Sequence, residues 1–150
     1  MVMLAGIASA GAQADGAAHS EEADHAYHRN NVGLFLGGSF EGREEAPAIG
    51  LEYERRFSER FGIGALVEYT GDDSDFWVAA IPFAFHAGQL KLFLAPGFED
   101  GEHGTEELLR LGVEYGFAFS GGWEIAPQVN VDFVDGEDVW VVGLLFAKGF

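Results

Sequence analysis

Four groupings in this 150-residue chain hold side chains of types that could do chemistry. Asp72, Asp73 and Asp75 form one, and Asp135, Glu137 and Asp138 another. Such oxygen-rich groups suit hard divalent cations like Ca²⁺ or Mg²⁺. Neither has the full spacing of a calcium loop, so solvated, mutually repelling charge explains them as well. His25 and His28 are three residues apart, beside Glu21, Glu22 and Asp24. They could hold Zn²⁺ or Cu²⁺ weakly, although imidazoles on a mobile tail must first be ordered. His103, Asp73 and Ser74 are hydrolase-type residues, but no motif surrounds them.

Composition narrows the choice. Formal charge is −17, with 8 basic residues against 25 acidic ones, which leaves no basic face for nucleic acid. Cysteine is absent, so disulfides, thiolate metal sites and a lipid-anchoring cysteine drop out. No apolar run is long enough for a membrane-crossing helix. The 22 glycines and 14 phenylalanines suit strands joined by tight turns.

The elements that must position these groups follow from alternation. Eight segments emerge, near 31–41, 46–57, 61–70, 76–86, 90–99, 106–119, 123–133 and 139–150. Most match the length a tilted strand needs to cross a bilayer. In the seventh, Trp123, Ile125, Pro127, Val129, Val131 and Phe133 share one face. Glu124, Ala126, Gln128, Asn130 and Asp132 share the other. The bulky face of the chain carries too much volume for an eight-stranded lumen and is assigned to the outside. Its aromatics gather at strand ends: Phe57, Phe61, Phe85, Phe119, Trp123 and Phe150 at one, Phe40, Tyr69, Trp77, Phe98, Phe133 and Trp140 at the other. Two aromatic belts around an aliphatic band are what the two interfaces of a membrane select. The expected fold is all-β: an eight-stranded antiparallel up-and-down transmembrane β-barrel, monomeric. A soluble lipocalin-like barrel is the main rival.

Lumen parity falls on Glu52, Glu54, Arg56, Glu68, Lys91, Arg110, Glu114, Glu124, Gln128, Asn130 and Asp132. Buried charges are costly unless paired, so an ion-paired plug is expected. If Phe119 opposes Trp123, Arg110 faces Asp132 and Glu114 faces Gln128. A thread of acids that conducts cations is the alternative. His86 has lumen parity near a turn and reads as structural. Pro82, Pro96 and Pro127 fall inside strands, where proline cannot donate to the ladder. Bulges are one reading, and a weakened seam admitting an acyl chain is another.

The last strand adds a signature. In steps of two from the end it reads Phe150, Lys148, Phe146, Leu144, Val142 and Trp140. With this terminal aromatic strand and the two belts, residues 31–150 resemble the small eight-stranded barrels of the bacterial outer membrane. The resemblance implies periplasmic termini, outer-membrane lipids as surroundings, and a C-terminal strand read by the barrel-assembly machinery. Lys148 stands where an apolar residue is usual and is expected to snorkel, with Arg55, to the periplasmic interface. The turns at 58–60, 87–88 and 120–122 are then periplasmic. The four external connections hold 14 of the 25 acids, with Arg43 as their counter-charge.

The leading expectation is a non-enzymatic structural, envelope-stabilising or surface-interaction role, with no cofactor beyond a divalent cation at the acidic outer loops. A narrow or lateral-entry transporter is the alternative, and a lipid A-modifying enzyme the next. The lipid A palmitoyltransferase resembles this chain in its proline-interrupted strands, but the His–Ser pair of the deacylase barrels is missing.

Ahead of the barrel, residues 1–14 read as an export signal, with Ala12-Gln13-Ala14 as a small-x-small cleavage site. The missing basic leader places the expected start upstream. Residues 15–30, acidic and carrying His19, His25 and His28, are expected to form a flexible periplasmic tail.

Overall fold

The computed structural model describes residues 28–71, 75–102 and 104–150. The expected export signal, most of the expected tail with His25, and Asp72, Asp73, Ser74 and His103 lie outside the described residues. The strands are β1 (Asn30–Glu41), β2 (Glu44–Arg56), β3 (Phe61–Thr70), β4 (Phe76–Ala80), β5 (Phe83–Ala87), β6 (Leu90–Gly101), β7 (Gly104–Tyr115), β8 (Phe117–Phe119), β9 (Trp123–Val134) and β10 (Glu137–Gly149). β4 and β5 form one stave interrupted at Ile81–Pro82, and β7 and β8 one interrupted at Gly116. Eight antiparallel staves therefore circle a common axis, as the alternation predicts.

Closure is made by β1 and β10, paired from Asn31↔Gly149 to Phe40↔Trp140. Asn30 and Phe150 complete it by exchanging backbone bonds of 3.0 and 2.9 Å. In lipid this closure is obligatory, because an open edge would leave donors and acceptors with no partner. Asp135 and Gly136 both have positive φ (47° and 84°), as a two-residue type I′ hairpin requires.

The expected bulges at Pro82 and Pro96 are not formed. Ala80 pairs with Gly97 and Phe83 with Leu94, so both strands advance in step through the break and no residue is inserted. Gly64 N–H donates to Pro82 O and Ile81 N–H to Pro96 O, each at 2.9 Å. Each proline merely leaves the return bond unmade, a smaller loss than a shift of register.

Side chains divide by parity. Trp77, Trp123, Trp140 and most phenylalanines lie exposed on the outer wall. The aromatic belts hold cross-strand pairs, among them Phe61–Phe85 at 5.4 Å and Tyr69–Trp77 at 4.9 Å between centroids. Phe35 and Phe93 depart from the volume argument and lie buried inside. Glycine makes their room. A Cβ on Gly112 would lie 2.1 Å from the Phe93 ring, and one on Gly143 2.6 Å from that of Phe35. Gly112→Val should therefore cost about 1–3 kcal/mol or more through overpacking. The urea midpoint of refolded protein checks this, with a lower midpoint expected.

Candidate functional site

The interior is lined by two apolar clusters and a set of linked polar groups. Leu66, Val78, Ala84, Phe93, Ala95 and Leu108 belong to one cluster. Phe35, Ala48, Ala126, Val141, Leu145 and Ala147 make the other.

Arg110 on β7 is the central polar residue and has no solvent exposure. Its Nε donates to Asp132 Oδ1 at 2.6 Å and its Nη2 to Asp132 Oδ2 at 2.7 Å, a bidentate pair with β9. Nη1 and Nη2 also reach both oxygens of Glu68 on β3, at 3.1 and 2.7 Å. The register Arg110↔Asp132 and Glu114↔Gln128 is as the sequence predicts.

A second node lies toward the end that carries the termini. Lys91 Nζ sits 2.5 Å from Glu114 Oε2 and 3.6 Å from Glu54 Oε2. Glu54 Oε1 is also met by His86 Nε2 at 2.6 Å and by Arg56 Nε at 3.5 Å. Arg56 Nη2 contacts His86 Nδ1. With Arg56 donating to Nδ1, the neutral ring carries its proton on Nε2 and donates to Glu54. Gln128 donates to Glu52 at 2.9 Å and to Asn130 at 3.4 Å. Of the seven expected lumen residues, Glu68, Arg110 and Asp132 meet in one node, Glu54, Arg56 and Glu114 belong to the other, and Glu52 accepts from Gln128. Lys148, expected to snorkel, donates to Gly121 O and lies 5.3 Å from the Trp123 ring centroid.

A vestibule opens at each end. The one at the terminal end, about 480 Å³, is lined by His28, Glu54, Arg56, His86, Lys91 and Glu124 among others. The far-end one, about 590 Å³, is lined by Glu41, Glu44, Glu45, Asp75, Glu99, Glu102, Glu106, Asp135 and Glu137. The two share no lining residue, and the Arg110 node borders neither.

The far-end carboxylates crowd one another beyond the outer aromatic belt. Burial, a hydrogen bond to Glu137 and the charges of Glu137 and Glu44 raise the Glu41 carboxyl above its ordinary range. Glu99, one residue past Phe98, is pushed up to about 7, first by burial and then by Asp132, Glu106 and Glu41. Among the described residues no group of three or more His, Asp or Glu is arranged to hold a metal ion. Asp75, Asp135 and Glu137 line the far vestibule, with Asp138 beside Glu137 on β10. His28 is at the opposite end, its ring against the positions where Gly149 and Gly122 would carry a Cβ.

An apolar outer wall, aromatic belts at both ends and an ion-paired interior define the class: an eight-stranded transmembrane β-barrel. No protein-family model and no curated protein matches the chain. Solved structures share the fold. The N-terminal barrel domain of Pseudomonas aeruginosa OprF matches with a TM-score of 0.62 at 12% identity, over 83% of this chain and all of that one. Yersinia pestis Ail in a phospholipid nanodisc matches at 0.57 and 11%, over 81% and 99% of the two chains. Neisserial surface protein A matches at 0.56 and 9%, over 81% and 96%. Ail has also been solved with the heparin analogue sucrose octasulfate, and that structure matches at 0.52 and 14%, over 79% and 96%.

Two outcomes follow from this electrostatics. Arg110→Met strands Glu68 and Asp132 in a closed interior and should cost about 3–5 kcal/mol. Adding Glu68→Gln and Asp132→Asn should recover much of that, read as the thermal midpoint of the three proteins. Glu99 has a folded pKa above its unfolded value, so its protonated form is favoured by folding. Its contribution is complete in acid and lost as pH rises through about 7. The thermal midpoint should fall between mildly acid and mildly alkaline pH, and Glu99→Gln should flatten that fall.

Proposed function

We propose that the protein is a monomeric bacterial outer-membrane barrel with a structural, envelope-stabilising or surface-interaction role, neither catalytic nor channel-forming. The carrying observation is the Arg110–Glu68–Asp132 node, wholly buried between the two vestibules. A narrow barrel filled at mid-height by Arg110 bonded to two carboxylates offers solutes no aqueous path. The aromatic outer face of β10, with Trp140 and Phe146, supports recognition of this strand by the barrel-assembly machinery.

Surface contacts in this reading are made by the far-end rim, turned outward. Its strands run past the belt and carry Glu41, Glu99, Glu106 and Glu137, with Arg43 as the base among them. Such a rim repels polyanions, unlike Ail, which was solved with a sulfated ligand. It suits cationic partners, or divalent cations bridging it to lipid phosphates as a diffuse layer.

Lateral entry draws on the two unmade bonds at Pro82 and Pro96, but the unbroken register on both sides supports a closed wall. His103, Asp73 and Ser74, the residues of an enzymatic reading, lie outside the described residues.

Expression in a Gram-negative host should place the protein in the outer-membrane fraction, with heat-modifiable migration on a gel. In planar bilayers it should give no steady conductance, and host lipid A should keep its mass. A reproducible single-channel current would return the transporter reading, and a shifted lipid A mass the enzymatic one.

A further inference from the structure

Apart from Arg43 at the far-end rim, the basic residues not used in the lumen are gathered on one arc of the terminal rim. Lys148 is on β10, Arg29 immediately precedes β1, Arg55 is on β2, and Arg60 is in the turn between β2 and β3. These staves are consecutive in the barrel, in the order β10-β1-β2-β3. The backbone fixes the spacing. Asn30 pairs with Arg55, and Arg29 O accepts from Arg56 N at 2.8 Å. Arg60 O accepts from His86 N at 2.7 Å. Elsewhere on this rim the turns at 87–89 and 120–122 carry no charge.

Arg29, Arg55 and Arg60 are exposed, and among the described residues none of their guanidiniums forms an ion pair. Arg56, next in sequence, turns inward to Glu54 and belongs to the lumen. Glu59 is the acid within the arc, while Glu124 points inward over Gly116.

Depth identifies the partner. Arg55 shares the outward face of Tyr53 and Phe57. Phe57 stacks on Phe61 with centroids 6.3 Å apart, within the terminal aromatic belt. Rings of such a belt sit at the level of lipid headgroups. The Arg55 guanidinium therefore emerges at phosphate depth, with the exposed Arg29 and Arg60 beside it on the rim, and a guanidinium's fork of donors matches phosphodiester oxygens.

We infer that Arg29, Arg55 and Arg60, flanked by Lys148 and Trp123, form a binding site for the headgroup of an anionic phospholipid in the leaflet around the terminal end. The site rests on the membrane-barrel reading. A zwitterionic lipid offers the same phosphate but neutralises it with its own cation, so the arc discriminates by net charge. The other half of the rim has no such preference, and the bound lipids collect on one side.

Trp123 adjoins Lys148 and reports on the arc. The full chain carrying Trp77→Phe and Trp140→Phe is reconstituted in phosphatidylcholine vesicles, with one third of the lipid replaced by brominated phosphatidylglycerol or by brominated phosphatidylcholine. Quenching of Trp123 should be about twofold stronger with the anionic lipid, and the difference should vanish at about 1 M salt. It should vanish also in Arg29→Gln/Arg55→Gln/Arg60→Gln, with folding verified by heat-modifiable migration. Equal quenching by the two lipids, or a preference that survives the triple substitution, overturns the site. Quenching by neither lipid overturns the membrane reading and the site together. Thermal unfolding of the unsubstituted chain gives a second readout: its midpoint should be higher in the anionic vesicles, and the triple variant should lose that difference.

Discussion

Backbone hydrogen bonding in a medium without water is the constraint from which the structure follows. A sheet in lipid must have no edge. Here the constraint is met between the first and last strands, where ten residue pairs run from Asn31↔Gly149 to Phe40↔Trp140. Once the ring is closed, every residue faces either hydrocarbon or a narrow interior. Tryptophans go out because they do not fit within, and Arg110 goes in because hydrocarbon would not receive it. The prolines show how much slack the ladder has: it tolerates missing donors at 82 and 96 without slipping.

An apolar interior would pack as well as a charged one, and burying ions is rarely the most stable choice. The benefit lies in distinguishing the two faces. Shifting a strand by one residue exchanges its inside for its outside. Were both faces oily, such a shift would cost little. With Glu68 on β3, Arg110 on β7 and Asp132 on β9, a slip of any one of these strands would turn its own charge to lipid and leave its partners unpaired inside. The ion pairs thus specify register, at some expense in stability.

Much of this was legible in the sequence, for a simple reason. Strand parity is a local property, and a short turn fixes the pairing of the strands it joins. The three-residue link after Phe119 set the Phe119↔Trp123 pair, and Arg110↔Asp132 followed. Glu68 could be placed inside but not on Arg110, because β3 and β7 are separated around the barrel and meet only through its curvature. Likewise, the Glu54–His86–Arg56 junction joins residues about thirty positions apart. Phe35 and Phe93 were misjudged by counting volume per face. The space for each ring is supplied by a glycine on a neighbouring strand, and no single segment reveals that.

The tight hairpins at the acidic end have a consequence for how that rim meets its surroundings. Asp135–Gly136 links its strands with two residues, and β1 and β2 are separated by Gly42 and Arg43 alone. Proteases and antibodies engage chain that can leave its scaffold and adapt to a cleft. Hairpins trimmed in this way leave a protease little chain to grip, and this part of the rim meets its surroundings chiefly through the charges at its strand tips.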